Sequence, residues 1–325
     1  PPARPARLAW EQLRAPALAA RLGVDVWHGP HYTVPLRLRV PAVTTIHDLT
    51  FFEHPEWHER SKVAFFRRMI PASAARAAAI VAVSNATARA IEEVLEPAAP
   101  VLTIAHGVDH DRFRPPAEPL AGPGAPGNAA DLAVLDPLGV RPPYVAFVGT
   151  IEPRKAVPTL VEAFARLAGD HPDLRLVLAG ADGWGTEEAR AAVAASGVAT
   201  RILRVRWVPD EALPALFRQA AAVAYPSHEE GFGLPALEAL ACGAPLVTST
   251  ESPMAEFAGP AALLVPPGNA GALAWALNRV LTDSGLAERL RRDGPTSAAP
   301  FTWEASARLH LDAYRLAVKV AEERP

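Results

Sequence analysis

Short apolar runs alternate with amphipathic segments along most of the chain. Runs such as residues 42–46 and 144–148 have the length and composition of strands buried on both faces. In residues 158–168 the apolar positions instead recur with the helical period. Further strands are predicted at residues 25–28, 79–83, 101–104, 174–179, 202–205, 222–225 and 245–248, and further helices at residues 8–22, 86–94, 270–281 and 303–320. This alternation predicts parallel sheets covered by helices.

A segment rich in proline and glycine interrupts this pattern between residues 115 and 143. We therefore predict an α/β fold of two doubly wound, Rossmann-like domains facing a cleft. The first domain spans residues 1–115, a linker or loop spans 116–141, and the second domain spans 142–300. A C-terminal helix in residues 301–325 is expected to pack back toward the first domain. Ligands of such sheets lie beyond the carboxyl ends of the strands, so the cleft is the expected site.

Composition narrows the class of protein. Half of the 325 residues are hydrophobic and 21% are charged, as in an ordinary soluble protein. The net charge of −3 gives no field that would attract nucleic acid. Cys242 has no partner for an internal disulfide, which favours a reducing compartment, and no apolar run reaches the roughly 18 residues of a membrane span. We expect a cytoplasmic protein.

The start of the chain has neither a methionine nor a signal peptide, since it opens with Pro1 and Pro2. The expectation is that the natural N-terminus lies further upstream and that the first domain is truncated. Whether the chain is active without that segment is left open.

The most informative segment is HEEGFGLPALEALACG, from His228 to Gly243. Gly231 and Gly233 allow the backbone to approach a ligand closely, because they lack a Cβ. A helix is predicted to start directly after them, and the amides and dipole of its first turn favour an anion such as a phosphate. Glu230 and Glu238 flank this turn and offer carboxylates for hydroxyl groups. The segment therefore predicts a sugar-phosphate site.

A second segment, GTIEPRK from Gly149 to Lys155, follows a predicted strand and precedes a predicted helix. Arg154 and Lys155 stand there as adjacent cations at the carboxyl end of the strand, where they suit a diphosphate. A solvated turn is the alternative interpretation.

Together these segments resemble the retaining glycosyltransferases of family 4, the glycosyl transferases group 1 of the two-Rossmann (GT-B) type. LVLAG at residues 176–180 and VRWVPDEALPALFRQA at residues 205–220 occur between the two segments in the family order. In the first half HDLTFFEHPEWH at residues 47–58, VSNATARAI at 83–91 and HGVDHDRFRP at 106–115 also match. The first of these three resembles mannosyltransferases in particular.

The resemblance implies a role for each matching residue. The catalytic set would be His47, Arg154, Lys155 and Glu230, in which the two cations hold the donor diphosphate while Glu230 and His47 contact the transferred sugar. The donor would also be bound by Gly149, Thr150, Val208, Pro209, Phe232, Gly233, Leu234 and Glu238. Among these, Glu238 would bind the ribose and the Val208–Pro209 turn the base. Thr150 stands where some relatives carry an arginine. Asp48 and Asn85 have weaker claims, and capping of the following turn is the alternative for Asp48.

The implied activity is transfer of a hexose, with mannose as one candidate, from a nucleoside diphosphate sugar with retention of configuration. The acceptor would be a glycan or a lipid-linked molecule of cell-surface polysaccharide or lipopolysaccharide synthesis. GDP-mannose and UDP-sugars are both open as donors, and no cofactor or metal is expected. The alternatives are a sugar-nucleotide epimerase of the same architecture and a non-catalytic nucleotide-sugar binder.

Two further patterns carry an alternative interpretation. His28 and His31 have a metal-like spacing, but the intervening Gly-Pro opposes the geometry such pairs need, so no metal site is predicted. Residues 60–69 interleave basic and aromatic side chains on one predicted helix. This helix either rests on an anionic membrane surface or packs on its own domain.

Overall fold

The computed structural model describes residues 4–116 and 128–323. The chain divides into two compact units, Pro1–Gly107 with Trp303–Pro325, and Val108–Thr302. The first unit thus ends at Gly107, whereas the sequence analysis predicted that the first domain would extend to residue 115. The helix that begins at Trp303 belongs to the first unit.

The described residues form parallel strands and α-helices that alternate along the chain. The strands are β1 Trp27–Gly29, β2 Ala42–Ile46, β3 Ala79–Ala82, β4 Val101–Thr103, β5 Tyr144–Val148, β6 Arg175–Ala179, β7 Ile202–Val205, β8 Ala222–Tyr225, β9 Leu246–Ser249 and β10 Ala262–Val265. The helices are α1 Arg4–Leu13, α2 Ala15–Leu22, α3 Thr50–Glu53, α4 Arg60–Arg76, α5 Asn85–Leu95, α6 Ala129–Leu135, α7 Val157–Leu167, α8 Thr186–Ala195, α9 Leu213–Arg218, α10 Leu234–Ala241, α11 Pro253–Ala258, α12 Ala270–Thr282, α13 Ser284–Ala298 and α14 Trp303–Glu323.

The first unit is built on a parallel sheet with the order β1-β2-β3-β4. Successive side chains of a strand point to opposite faces, and β3 shows this directly. Ile80 packs with Phe66 and Ile70 of α4, whereas Val81 packs with Ala313 and other residues of α14. Both faces of the sheet are therefore covered by helices, as predicted for a doubly wound fold.

The second unit has a parallel sheet with the order β10-β9-β8-β5-β6-β7. From β5 the chain moves outward through β6 to β7, then returns to β8 and moves outward the other way to β10. The strand order thus reverses between β5 and β8. Loops at the carboxyl ends of these two strands diverge at this point and leave the crevice in which doubly wound sheets bind ligands. The GTIEPRK segment follows β5 and the HEEGFG segment follows β8.

The structure differs from the predicted elements in three ways. The helix expected at residues 8–22 is two helices, α1 and α2, because the ring of Pro16 and its missing N–H interrupt the hydrogen-bond ladder near Arg14. The predicted linker or loop at 116–141 contains α6, capped by the side chain of Asn128 and anchored by the buried Leu135. Its residues 117–127 lie outside the described part. Strand β10 and helices α3, α8, α9, α11 and α13 were not predicted from the sequence.

Candidate active site

Helix α10 begins beside the point at which the strand order reverses. The residue before it has a backbone conformation that favours glycine. Gly233, the residue before the helix, has a φ of 92°. A Cβ at Gly233 would lie 2.3 Å from Cγ of Met254, so both the dihedral and the packing demand glycine. Pro235 stands in the first turn, where its missing N–H leaves no bond unmade. Phe232 is buried before the helix start, so the backbone of residues 232–234 is held in place.

Glu230 is the most tightly held carboxylate of the site. Its side chain is 4% exposed. Oε2 accepts a hydrogen bond from Nη1 of Arg154 at 2.6 Å, and Oε1 accepts from Nζ of Lys155 and from Oγ of Ser227 at 3.0 Å. Burial alone would raise the pKa of Glu230, but Lys155 and Arg154 outweigh burial and lower it to about 2. Glu230 is therefore ionised at neutral pH.

The two cations predicted for a diphosphate thus contact Glu230 in this structure. Lys155 is itself buried. Nε of Arg154 also donates to Glu152 at 3.0 Å, and its carbonyl oxygen accepts from the amide of His228 at 2.8 Å. These contacts tie the loop after β5 to the loop after β8. Cationic side chains, a buried carboxylate and a helix N-terminus consequently share the crevice of one sheet.

The loop after β5 also approaches the loop after β6 very closely. Gly149 donates its amide to the carbonyl of Ala179 at 2.8 Å. A Cβ on Gly180 would lie 2.2 Å from the carbonyl oxygen of Gly149, so only glycine fits there. Thr150, which follows Gly149, is exposed. The predicted donor residues Gly149 and Thr150 therefore lie on the same short loop as Arg154 and Lys155.

Glu238 lies one turn further along α10 in a different electrostatic state. It is half-buried, and burial raises its pKa to about 7, with Arg112 opposing and Asp210 adding to the rise. Near neutral pH both the charged and the neutral form of Glu238 are populated. Asp210 belongs to the turn that contains Val208 and Pro209, the residues predicted for the base. The structure therefore brings Glu238 close to this turn.

The predicted residues of the first half lie in the first unit. Nε2 of His47 is hydrogen-bonded to the carbonyl oxygen of Pro30 at 2.9 Å, and its ring contacts those of His31, Tyr32 and His106. Burial lowers the pKa of His106 to about 4, helped by the charges of His47 and His310. His106 is therefore neutral beside His47 at physiological pH.

Asp48 and Asn85 lie near the starts of α3 and α5. Oδ1 of Asp48 accepts from the amide and the hydroxyl of Thr50 at 3.3 and 2.8 Å, which holds the turn that leads into α3. Asn85 is the exposed first residue of α5, and Ser84 is the residue whose side chain caps this helix. The hydroxyl of Thr87 in α5 donates to the carbonyl of His47 at 3.2 Å.

His28 uses both ring nitrogens inside the first unit. Nδ1 is 2.8 Å from the hydroxyl of Tyr314, and Nε2 is 2.8 Å from Oγ1 of Thr45. Burial lowers the pKa of His28 to about 4. Across residues 4–116 and 128–323, no group of three or more histidine, cysteine or acidic side chains is arranged to hold a metal ion.

Helix α4, which carries the basic and aromatic residues 60–69, packs on its own unit. Phe66 is buried, and Arg67 donates to the carbonyls of Phe51 and Phe52 at 2.8 and 2.9 Å. In the part of the chain that the structure describes, every helix is too short or too polar to cross a bilayer.

Three residues of the site were not predicted from the sequence. Ser227 binds Glu230 from three positions earlier, Glu152 pairs with Arg154, and Arg112 acts on Glu238 from far along the chain. The first two stand next to the recognised motifs, so their proximity was a readable signal. Arg112 stands in HGVDHDRFRP, which matched the family without a role for this side chain.

Family models agree with this organisation. Residues 137–296 match the model of "Glycosyl transferases group 1", and residues 1–112 match that of "Glycosyltransferase Family 4". An O-antigen chain mannosyltransferase B from Escherichia coli is 32% identical over 293 residues, which cover 90% of this chain and 74% of that protein. A D-inositol 3-phosphate glycosyltransferase from Kribbella flavida is 38% identical over 60% of this chain. The chain spans 48% of that relative, about half its length.

Solved structures share the fold. A sucrose-phosphate synthase from Thermosynechococcus elongatus superposes with a TM-score of 0.75 at 25% identity, covering 92% of this chain and 75% of the other. The Anabaena protein HepE in complex with UDP and glucose superposes with a TM-score of 0.71 at 19% identity, covering 95% of this chain and 80% of the other. From these matches and the site geometry, the chain belongs to the family 4 glycosyltransferases, and its fold is of the GT-B type.

Proposed function

We propose that this glycosyltransferase moves a hexose from a nucleoside diphosphate sugar to a glycan or lipid-linked acceptor, with retention of configuration. The observation that carries the proposal is the cluster of Arg154, Lys155 and Glu230 at the reversal of strand order, beside the N-terminus of α10. Cations and helix amides suit a diphosphate, and a buried carboxylate suits sugar hydroxyls.

In the proposed mechanism the positive charge of the site stabilises the leaving diphosphate. Arg154, Lys155 and the first turn of α10 stabilise the charge that develops as the bond to the sugar breaks, in place of a metal ion. Glu230 is a poor nucleophile and a poor base, because its two cations lower its pKa to about 2. We therefore propose front-side attack by the acceptor hydroxyl, whose proton passes to the leaving phosphate. Glu230 orients the sugar, and His47 is proposed as a second contact to it.

GDP-mannose is the donor we propose first. Its support is the likeness over 90% of this chain to an O-antigen chain mannosyltransferase. A UDP-sugar is the alternative, since HepE was solved with UDP and UDP-glucose. In either case Glu238 would bind the ribose and the turn at Val208 and Pro209 the base. A reducing, cytoplasmic compartment is part of the proposal, because the buried Cys242 is a free thiol.

The proposal is tested by thermal unfolding of the chain with GDP-, UDP- and ADP-sugars. A ligand at a hundred times its Kd adds about 2.7 kcal/mol to the free energy of unfolding, which is readily seen as a higher Tm. We expect GDP-mannose to give the largest increase.

Lys155→Ala should abolish most of this increase, whereas Lys319→Ala, which removes an exposed lysine from α14, should leave it unchanged. If none of the nucleotide sugars raised the Tm of the unsubstituted chain, the proposed donor site would be wrong.

A further inference from the structure

Arg112 lies in a tight, hydrogen-bonded turn at the start of the second unit. Oδ1 of Asp109 accepts from the amides of Asp111 and Arg112, both at 3.1 Å. The amide of Phe113 donates to the carbonyl of Asp109 at 2.7 Å. Phe113 is 3% exposed and packs against Phe217 of α9. The backbone that carries Arg112 is therefore anchored on both sides of this residue.

The Arg112 side chain reaches the turn of residues 208–210. Its Nη2 donates to the main-chain carbonyl of Asp210 at 2.6 Å and lies 3.3 Å from the carboxylate of the same residue. That carboxylate is 92% exposed, so the ion pair itself contributes little. The bond to the carbonyl matters more, because it fixes the backbone of the turn in space. Just after this turn the amides of Ala212 and Leu213 donate to the carbonyl of Pro209.

The same guanidinium is the cation that acts on Glu238. The groups that influence Glu238 are Arg112, which favours its charged form, and Asp210, which disfavours it. Tyr225 and Cys242 also interact electrostatically with Glu238. Burial raises the pKa of Tyr225 well above its ordinary value and that of Cys242 to about 12. Both are therefore neutral at pH 7, so among these four groups Arg112 supplies the positive charge.

We propose that Arg112 is a positioning residue for the nucleoside half of the donor, which it serves by holding the turn of residues 208–210 and by placing a positive charge beside Glu238. The inference rests on the proposed function, in which this turn meets the base and Glu238 meets the ribose. It assigns to HGVDHDRFRP, at residues 106–115, an indirect influence on donor binding through one side chain.

The test is isothermal titration of the chain with GDP-mannose and with UDP-glucose between pH 6 and pH 8.5. Nucleoside diphosphate sugars are chosen because their phosphates do not titrate in this range. Arg112→Ala should bind the preferred donor about tenfold more weakly at pH 7, the loss expected for one charge-assisted hydrogen bond. It should also need a higher pH to reach its full affinity, because Glu238 loses its cation.

Three variants separate position from charge. Arg112→Lys keeps the charge, so its pH profile should match that of the unsubstituted chain while its affinity falls. Arg112→Gln removes the charge but keeps a donor, so its pH profile should move upward even if Arg112→Ala fails to fold. Arg114→Ala is the matched control, since it removes an exposed arginine two residues away and should change neither quantity.

The outcomes separate this inference from the proposed function. If the unsubstituted chain binds a nucleotide sugar while Arg112→Ala and Arg112→Gln keep its affinity and pH profile, the role of Arg112 is wrong and the proposed function stands. If the unsubstituted chain binds neither nucleotide sugar, both are wrong. A merely structural arginine would lower the Tm of its variants without moving the pH profile of binding.

Discussion

The two glutamates of the HEEGFGLPALE motif lie on one turn-and-helix segment yet are in opposite electrostatic states. Glu230 is almost fully buried with a pKa of about 2, whereas Glu238 is half-buried with a pKa of about 7. Burial disfavours the charge of both. The difference arises from contact, because Arg154 and Lys155 hydrogen-bond to Glu230, while Arg112 gives its hydrogen bond to Asp210. Direct contact with a cation, more than depth of burial, decides the charge of a carboxylate here.

The proposed donor site therefore has a fixed half around Glu230 and a responsive half around Glu238. Around Glu230 the charges are already paired, so this half has the same charge across the physiological pH range. Glu238 changes its charge within that range, so binding at the ribose should depend on pH.

The largest effect is expected on stability when Glu230→Ala removes the carboxylate. Breaking a buried pair leaves Lys155 uncompensated and should cost about 3–5 kcal/mol of unfolding free energy at pH 7. Since the pKa of Glu230 is lowered, its stabilisation is complete above its ordinary pKa of 4.5 and is lost as the pH falls toward 2. Urea unfolding should therefore show a gap between the variant and the unsubstituted chain that narrows below pH 4.5.

Glu322→Ala is the control for this change, because it removes an exposed glutamate from α14. It should alter the unfolding free energy by no more than about 0.5 kcal/mol. A Glu230→Ala variant as stable as this control would mean that the buried ion pairs do not form.

Lys155→Ala tests the fixed half through chemistry. Removing a preorganised charge from the leaving diphosphate should lower the turnover of the nucleotide sugar by about 100-fold or more. Turnover can be followed as hydrolysis of the donor without an acceptor, with Lys319→Ala as the matched lysine control. An unchanged kcat for Lys155→Ala would remove Lys155 from the mechanism.

Gly233→Ala tests the backbone between the two glutamates. The variant combines a strained positive φ with a contact between the new Cβ and Met254, and should lose about 1–3 kcal/mol of stability. Gly197→Ala measures the dihedral cost alone, since Gly197 has a φ of 71° and open space where a Cβ would stand. The loss of stability caused by Gly233→Ala should exceed that caused by Gly197→Ala, and this excess should shrink when Met254 is also replaced by alanine. Equal losses for Gly233→Ala and Gly197→Ala would exclude the steric contribution.

The smallest effect is the pH dependence of donor binding in the responsive half. If the ribose binds the ionised form of a group with a pKa near 7, affinity should rise about tenfold between pH 6 and pH 8. Glu238→Gln should bind more weakly at pH 8 and show a flat profile. A profile that stays steep in Glu238→Gln would assign the titration to another group.

The sequence predicted the features that depend on local order. Strands β2, β5, β7 and β8 have the predicted bounds, because short runs rich in β-branched and other apolar residues can be recognised without their partner strands. The start of α10 was also predicted from adjacent residues, since Gly233 precedes the helix and Pro235 stands in its first turn. Helix α6 was missed because its seven residues are too few to show a helical period and they follow a proline- and glycine-rich stretch.

Long-range pairing was beyond the sequence. Arg154, Lys155 and Glu230 were each singled out, but their contact with one another depends on β5 and β8 being neighbours in the sheet. Arg112 was missed because its hydrogen bond to Asp210 spans 98 positions of the chain. Charge states follow from such contacts, so the opposite states of Glu230 and Glu238 needed the folded structure.

The central claim, that Glu238 rather than Glu230 changes its charge when the donor binds, can be tested by counting protons. Titration of GDP-mannose into the chain at pH 7 in buffers of different ionisation enthalpy gives the number of protons released. Since Glu238 is about half protonated at that pH and would bind the ribose as a carboxylate, about half a proton should be released per donor bound. Glu238→Gln should release none. Binding without proton release by the unsubstituted chain, or the same release by Glu238→Gln, would contradict the account.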